Sequence, residues 1–369
     1  MRLTSLRLHW VQVPFHEPFR ISSGEVSVKD AILVELEASG LVGWGEASPM
    51  AGAFYSAETP ESTWQFLRTR LIPALLARPE IDRRGYYDYV AQFPGEPFAK
   101  AGLEGAVWDL WSKERAKPLY SELRGTRRPI ESGAAIGLMP SVPELLERVE
   151  RFLGQGYRRI KIKIEPGRDI ELVRAIRQRF HDIPLMVDAN AAYRPEHFPI
   201  FEELDRLSLM MIEQPLAREA FEEHADLQRR LRTPICLDES AESPEAIETI
   251  VRLGSARILN IKVQRMGGLV PARQAHDAAR ASGMPCWLGT MPELGVASVQ
   301  ALHLATLPSF TYPTDVEASS RWYVDDIISP PIEVSREGLI HLPEGPGTGY
   351  TVDVEKVAKY RVRIEEFRV

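Results

Sequence analysis

Apolar and polar positions alternate in "YRRIKIKIEP", residues 157–166, with Ile160, Ile162 and Ile164 on one face and Lys161 and Lys163 on the other. That period of two predicts a β-strand carrying both lysines on one side. Short apolar runs of the same kind recur, each ending on a charge: "IPLMVDAN" at Asp188, "LMMIEQP" at Glu213, "TPICLDES" at Asp238 and "ILNIKVQ" at Lys262. From Lys163 onward the intervals are 25, 25, 25 and 24 residues, read directly from those positions. Between the runs lie stretches of helical spacing such as "GRDIELVRAIRQRFHD", "SPEAIETIVRLG" and "LVPARQAHDAARASG". Several open with Asp or Ser-Pro and close with Gly, as helix caps prefer. Strand and helix at a fixed period predict repeated βαβ units and a parallel sheet.

One further unit precedes this series, "IESGAAIGL" followed by "SVPELLERVERFLGQG". Another follows it, "MPCWLG", "ELGVASVQALHLATLP" and "TYPTDVE". Counted from residue 131, eight strands and seven intervening helices predict an α/β fold, a (β/α)7β TIM-type barrel over residues 126–319. Residues 1–125 read differently. Alternating segments "TSLRLHWVQVPF" and "AILVELEASGLVGWGE" precede helical stretches, predicting an α+β cap domain. The tail, 320–369, carries "PPIEVS", "GLIHLP" and the glycine-rich "PEGPGTGY", and is expected to complete that cap.

Length and composition narrow the classes. The 369 residues, 44% hydrophobic, suit a globular chain with a large core, and a net charge of −7 lacks the basic footprint of a nucleic-acid binder. No run approaches the roughly 20 apolar residues of a membrane span, and the start lacks a signal-peptide core, so the expected location is the cytoplasm. Cys236 and Cys286 sit in apolar stretches and read as buried free thiols. The expected partner is therefore a small molecule.

In a barrel of this type the active site lies at the C-terminal strand ends, where the recurring charges fall. Asp188, Glu213 and Asp238 would end strands three, four and five and converge on one side of the mouth. Three carboxylates at close quarters want a cation. With no His or Cys beside them the expected ion is Mg²⁺, with Mn²⁺ or another divalent ion also suitable. Lys163 ends strand two and Lys262 strand six, placing them face to face across the barrel. The pattern predicts abstraction of a proton α to a carboxylate, with the ion as Lewis acid, a lysine on each face and Lys161 as the neighbouring cation. Any one of these residues alone would read as solvated or as a helix cap; five at one period would not. Asn190 reads as a helix cap or a supporting group near the ion, and Glu239 as either. His181, His197, His224 and His276 fall in helical or loop stretches and take no role.

The Lys161-x-Lys163 strand, the three carboxylates and Lys262 resemble the enolase superfamily in its muconate-lactonizing branch, whose enediolate chemistry is general to the group. Within that branch the chain is similar to the o-succinylbenzoate synthases and the N-acylamino acid (N-succinylamino acid) racemases. The resemblance rests on "PFRISSGEV", "GWGEASPMAGAFYSAET", "GTMPELGVASVQALHLATLP" and "DVEASSRWYVDDIISPPI". It implies a lyase of menaquinone biosynthesis or an isomerase, a small carboxylate substrate and a homo-oligomer, commonly an octamer. It also implies a substrate pocket shaped by Phe19, Met50, Thr290, Met291 and Glu293. Thr290 and Leu294 depart from the family's usual G-G-M-x-E-T-G pattern, and Asp315-Val316-Glu317 approaches the D-x-D of dipeptide epimerases. A dipeptide epimerase, a sugar-acid dehydratase and a binding barrel without turnover are the alternatives.

Overall fold

A computed structural model describes residues 2–21, 24–51, 56–77, 80 and 82–368, without the side chains of 19–21, 24, 83 and 84. Leu3–Ile21, Gly24–Ala38 and Leu41–Ala47 form an antiparallel meander. The second turn is tight because Ser39 and Gly40 both adopt positive φ, 52° and 75°, the geometry that two-residue hairpins require. Helix Pro97–Glu114 packs on this sheet at close range. A Cβ at Gly45 would collide with the backbone of Gly102 and Ala106, so the absence of side chains there sets the approach.

Seven parallel strands follow in sequence order: Ala134–Ile136, Ile160–Lys163, Leu185–Asp188, Ile212–Glu213, Ile235–Leu237, Ile258–Ile261 and Cys286–Leu288. Each is followed by a helix, from Val142–Gly154 after the first to Gly295–Leu304 after the last. Ser141 and Ser243 cap two of these helices by accepting from Glu144 N and Ala246 N, and Gly254 closes one at φ 68°. Residues 309–315 take the eighth place without forming a regular strand. Cys286 N donates to Ser309 O (2.8 Å) and Asp315 N to Leu288 O (3.1 Å) on one side. Thr314 N donates to Glu131 O and Gly133 N to Thr314 O, both at 2.8 Å, on the other. The sheet is thereby closed into a (β/α)7β barrel.

Further details differ from the sequence expectation. The first barrel strand begins at Ala134, because Ile130–Glu131 pairs instead with Leu339–Ile340, and "PPIEVS" forms no strand. The tail divides: Leu339–Ile340 and the Ile328–Ser329 to Thr351–Val352 pair lie outside the cap sheet, whereas Arg361–Arg368 adds to it along Leu3–Ile21. Glu46, buried on the third cap strand, accepts from Leu294 N (2.8 Å) and Ala297 N (2.9 Å) at the start of the seventh barrel helix. Gln264 accepts from Ser48 N and donates to Glu46 O, and Gln300 donates to Trp44 O. These bonds satisfy polar groups that would be costly to bury alone, and they fix the cap over the barrel mouth.

Three buried histidines also hold the frame, a role the sequence pattern did not suggest. His224 Nε2, His276 Nε2 and His303 Nδ1 accept from Leu216 N (3.2 Å), Ser309 N (3.1 Å) and Tyr120 N (3.0 Å). The other ring nitrogens of His224 and His303 face Ala220 O and Thr348 O, so each is held as a neutral tautomer that donates there. Burial pushes both rings down to about 4. The unfolded chain takes up these protons near pH 6.5 and the folded chain only near 4, so stability falls as pH drops through that window. Urea unfolding midpoints should therefore decline from pH 6.5 to 4.5, and the decline should be shallower in His224→Gln/His303→Gln. An identical slope in the two proteins would assign the effect to other groups.

Candidate active site

The parity of the strands sorts the barrel interior into two layers. Met186, Met211, Cys236, Ile258 and Trp287 form a separate apolar cluster inside the barrel. Two residues further along their strands come Asp188, Glu213, Asp238 and Asn260, and Lys262 follows two after that. The registers place Lys163 beside Asp188 and Asp188 beside Glu213. A charged layer thus rests on an apolar floor, which excludes water from beneath and strengthens every charge contact above.

The charges in that layer are interleaved. Lys163 Nζ donates to Asp188 Oδ2 (2.5 Å) and Asn190 Oδ1 (2.7 Å), and Lys262 Nζ donates to Asp238 Oδ2 (2.8 Å). Arg265 also pairs with Asp238. Lys161 Nζ contacts Asp315, Glu213 (3.3 Å) and Asp188 (3.8 Å) and sits 4.9 Å above the Trp287 ring. Asp315 accepts in addition from Arg159 Nη2 (2.6 Å), whose guanidinium stacks on the same ring. Asn260 Nδ2 donates to Glu213 Oε1 (2.7 Å).

Burial favours the neutral forms of these groups, and their neighbours decide the outcome. Burial lowers Lys161, but Asp315 and Glu213 more than offset this, so the ammonium is a fixed cation. Burial raises Asp188 and Asp238, yet Lys163 pulls the first, and Arg265 with Lys262 the second, below the usual carboxylate range. Glu213 stands apart. Burial and the charge of Asp188 push it up to about 8, more than the nearby Lys161 offsets.

Among the described residues, no group of three or more His, Cys, Asp or Glu side chains is gathered closely enough to hold a metal ion. The expected ligands Asp188, Glu213 and Asp238 instead spend their oxygens on Lys161, Lys163, Lys262, Arg265 and Asn260. Their donor chemistry nevertheless fits a hard divalent ion: all are carboxylates, all are buried, and they end adjacent strands.

Lys161, Lys163 and Lys262 open on one cavity of about 260 Å³, with Thr290, Met291 and Glu293 in its wall. Met50, expected there, is 1% exposed and does not line it, and the side chain of Phe19 lies outside the described residues. Asn190 caps no helix: its side chain accepts from Lys163 and donates to Glu239 Oε1 (3.1 Å). Sequence reasoning missed Arg159, Asn260 and Arg265. Asn260 precedes Lys262 by two in the same alternation and Arg265 follows it by three, so the local period could have raised both.

Residues 144–357 match the enolase C-terminal domain-like family, and residues 4–125 match the N-terminal domain of the mandelate racemase / muconate lactonizing enzyme family. The chain is 43% identical to an o-succinylbenzoate synthase of Geobacillus kaustophilus, over 96% of this chain and 94% of that protein. It is also 43% identical to an N-succinylamino acid racemase of an Amycolatopsis species, over 95% of each. A solved enolase-superfamily structure from Listeria innocua superimposes with a TM-score of 0.95 at 35% identity, covering 100% of this chain and 99% of that one. The muconate lactonizing enzyme of Pseudomonas fluorescens, complexed with muconolactone, gives 0.91 at 25% identity, covering 98% and 99%.

Asp315 compensates two buried cations at once, so its removal tests how far the layer depends on charge balance. Asp315→Asn should cost about 3 to 5 kcal/mol in urea unfolding, because Arg159 and Lys161 stay buried without a counter-charge. Adding Lys161→Met should recover part of that loss. Strict additivity of the two changes would show that they do not interact.

Proposed function

The chain belongs to the mandelate racemase / muconate lactonizing enzyme family of the enolase superfamily, and we propose that it abstracts the proton α to a carboxylate in a succinyl-bearing acid. Two reactions share that step, o-succinylbenzoate synthesis by dehydration and racemisation of N-succinylamino acids. The observation that carries the reading is the pair of lysines on opposite barrel strands, two and six, opening on one cavity beside three carboxylates at adjacent strand ends.

Lys163, as the free amine, takes the proton from the α-carbon, and the C–H electron pair passes into the substrate carboxylate. In racemisation Lys262, as the ammonium, returns a proton to the other face, so one C–H bond breaks and another forms. In dehydration Lys163 hands its proton to the departing β-hydroxyl, and the C–O electron pair leaves with water while Lys262 stays charged opposite. Lys161 carries a fixed positive charge beside the developing negative charge. Asn190 and Glu239 tie the loop after strand three to the end of strand five. Asp188, Glu213 and Asp238 would hold Mg²⁺ or another divalent ion. When bound, the ion supplies Lewis-acid charge against the substrate carboxylate and neutralises carboxylates that otherwise draw on the lysines.

A dipeptide epimerase needs a carboxylate for the substrate's ammonium group. Asp315 already serves Arg159 and Lys161, and Glu317 accepts from Ala135 N (2.8 Å), which weighs against that reading.

In D₂O with Mg²⁺, N-succinyl-L-phenylalanine should lose its α-proton signal and its optical rotation together. Lys163→Ala and Lys262→Ala should each abolish racemisation, with rates down at least about 100-fold. Chelation should stop the reaction and Mg²⁺ should restore it. Normal turnover in Lys163→Ala would remove the base assignment, and undiminished turnover after chelation the ion.

A further inference from the structure

The cavity that holds the lysines extends outward to a second charged end that the proton transfer does not use. Its wall there includes Glu17 from the cap, Arg148 from the first barrel helix, and Glu317 and Arg321 from the segment after the eighth strand position. Arg148 grips Glu17 with both terminal nitrogens, 2.7 and 3.4 Å from the carboxylate oxygens. Arg151 lies one helical turn beyond Arg148 on the same helix face. Arg148, Arg321 and Arg151 all stabilise the charge of Glu17 and hold it below the usual carboxylate range.

Arg321 is held in place by packing. Its guanidinium carbon lies 4.3 Å from the Trp322 ring centre and 5.0 Å from that of Phe152. Such stacking leaves the edges of the plane open for hydrogen bonds. Its Nε stands 3.2 Å from Glu317 Oε2, yet the pair is out of line for a hydrogen bond and both atoms keep unfilled capacity. Glu317 is itself buried, and burial pushes it up to about 7, so it offers Arg321 an incomplete negative charge near neutrality. In the cavity wall Arg148 and Arg321, with Arg151 adding charge from the same helix as Arg148, therefore share one exposed carboxylate and one half-neutralised carboxylate.

We propose that Arg321 and Arg148 form the subsite for the second, distal carboxylate of a dicarboxylic substrate, and thereby select succinyl over uncharged acyl groups. The inference rests on the reaction proposed above, because the first carboxylate must occupy the lysine end. A planar guanidinium fork matches a carboxylate edge to edge, and placing it opposite the reacting end fixes the substrate at two points. No bond is made or broken at this end, so its contribution is to binding and orientation.

The test is calorimetric binding of N-succinylglycine and N-acetylglycine to the Mg²⁺-loaded protein, paired with α-proton exchange of both compounds in D₂O. The succinyl compound should bind about tenfold to a hundredfold tighter, the range expected for charge-assisted hydrogen bonds. That ratio should collapse toward one in Arg321→Gln and in the more exposed Arg148→Gln, and Arg321→Lys should recover part of it. Equal wild-type affinities would overturn the subsite. So would a ratio that survives both glutamine variants, or an equal loss on both compounds. Selective binding without any α-proton exchange would keep the subsite and sink the reaction. Exchange on both compounds with equal affinities would do the reverse.

Discussion

Everything at the barrel mouth depends on compensating buried charge. Arg159, Lys161, Lys163, Lys262 and Arg265 are set between Asp188, Glu213, Asp238 and Asp315 over a floor of apolar side chains. In so dry a place an isolated ion is untenable, so each cation is located by its carboxylates as firmly as by its own strand. The parallel registers bring those partners to neighbouring strand ends, and closure of the barrel through residues 309–315 delivers Asp315 to the opposite side of Lys161.

That compensation divides labour among residues of one chemical type. Lys161, surrounded by Asp315, Glu213 and Asp188, is fixed as a cation, whereas Lys163 and Lys262 each lean on a carboxylate that a divalent ion would claim. In the proposed reaction Lys161 accordingly keeps its charge while Lys163 and Lys262 exchange protons, because their carboxylate surroundings differ from those of Lys161. The cap contributes the other requirement. Glu46, Ser48 and Trp44 are hydrogen-bonded into the last barrel helices, and Glu17 reaches the first, so the cavity is walled by both domains and substrate selection can be built on groups remote from the chemistry.

Much of the charged layer at the barrel mouth was legible in the sequence. Strand parity is local, and a 25-residue repeat fixes which strand each charge ends, so Lys161, Lys163, Asp188, Glu213, Asp238 and Lys262 could be named from spacing alone. The structural part that three histidines play is invisible in the sequence for the same reason in reverse. His224, His276 and His303 act through amides 8, 33 and 183 positions away, and nothing in their local pattern announces the contact. For Asn190 the sequence leaves two readings, a helix cap or a supporting group beside the carboxylates, and the bond from Lys163 decides against the cap.

The sequence by itself determined the elements, their order and the identity of the charged strand ends, because hydrophobic periodicity and the βαβ repeat act over a few residues at a time. Only the tertiary structure decided which charges neutralise one another, that residues 309–315 close the barrel without a regular strand, and that Arg148, Arg321 and Glu17 meet at one end of the cavity. These depend on pairings between positions up to hundreds of residues apart. Their energies come from desolvation and geometry, which no local pattern encodes.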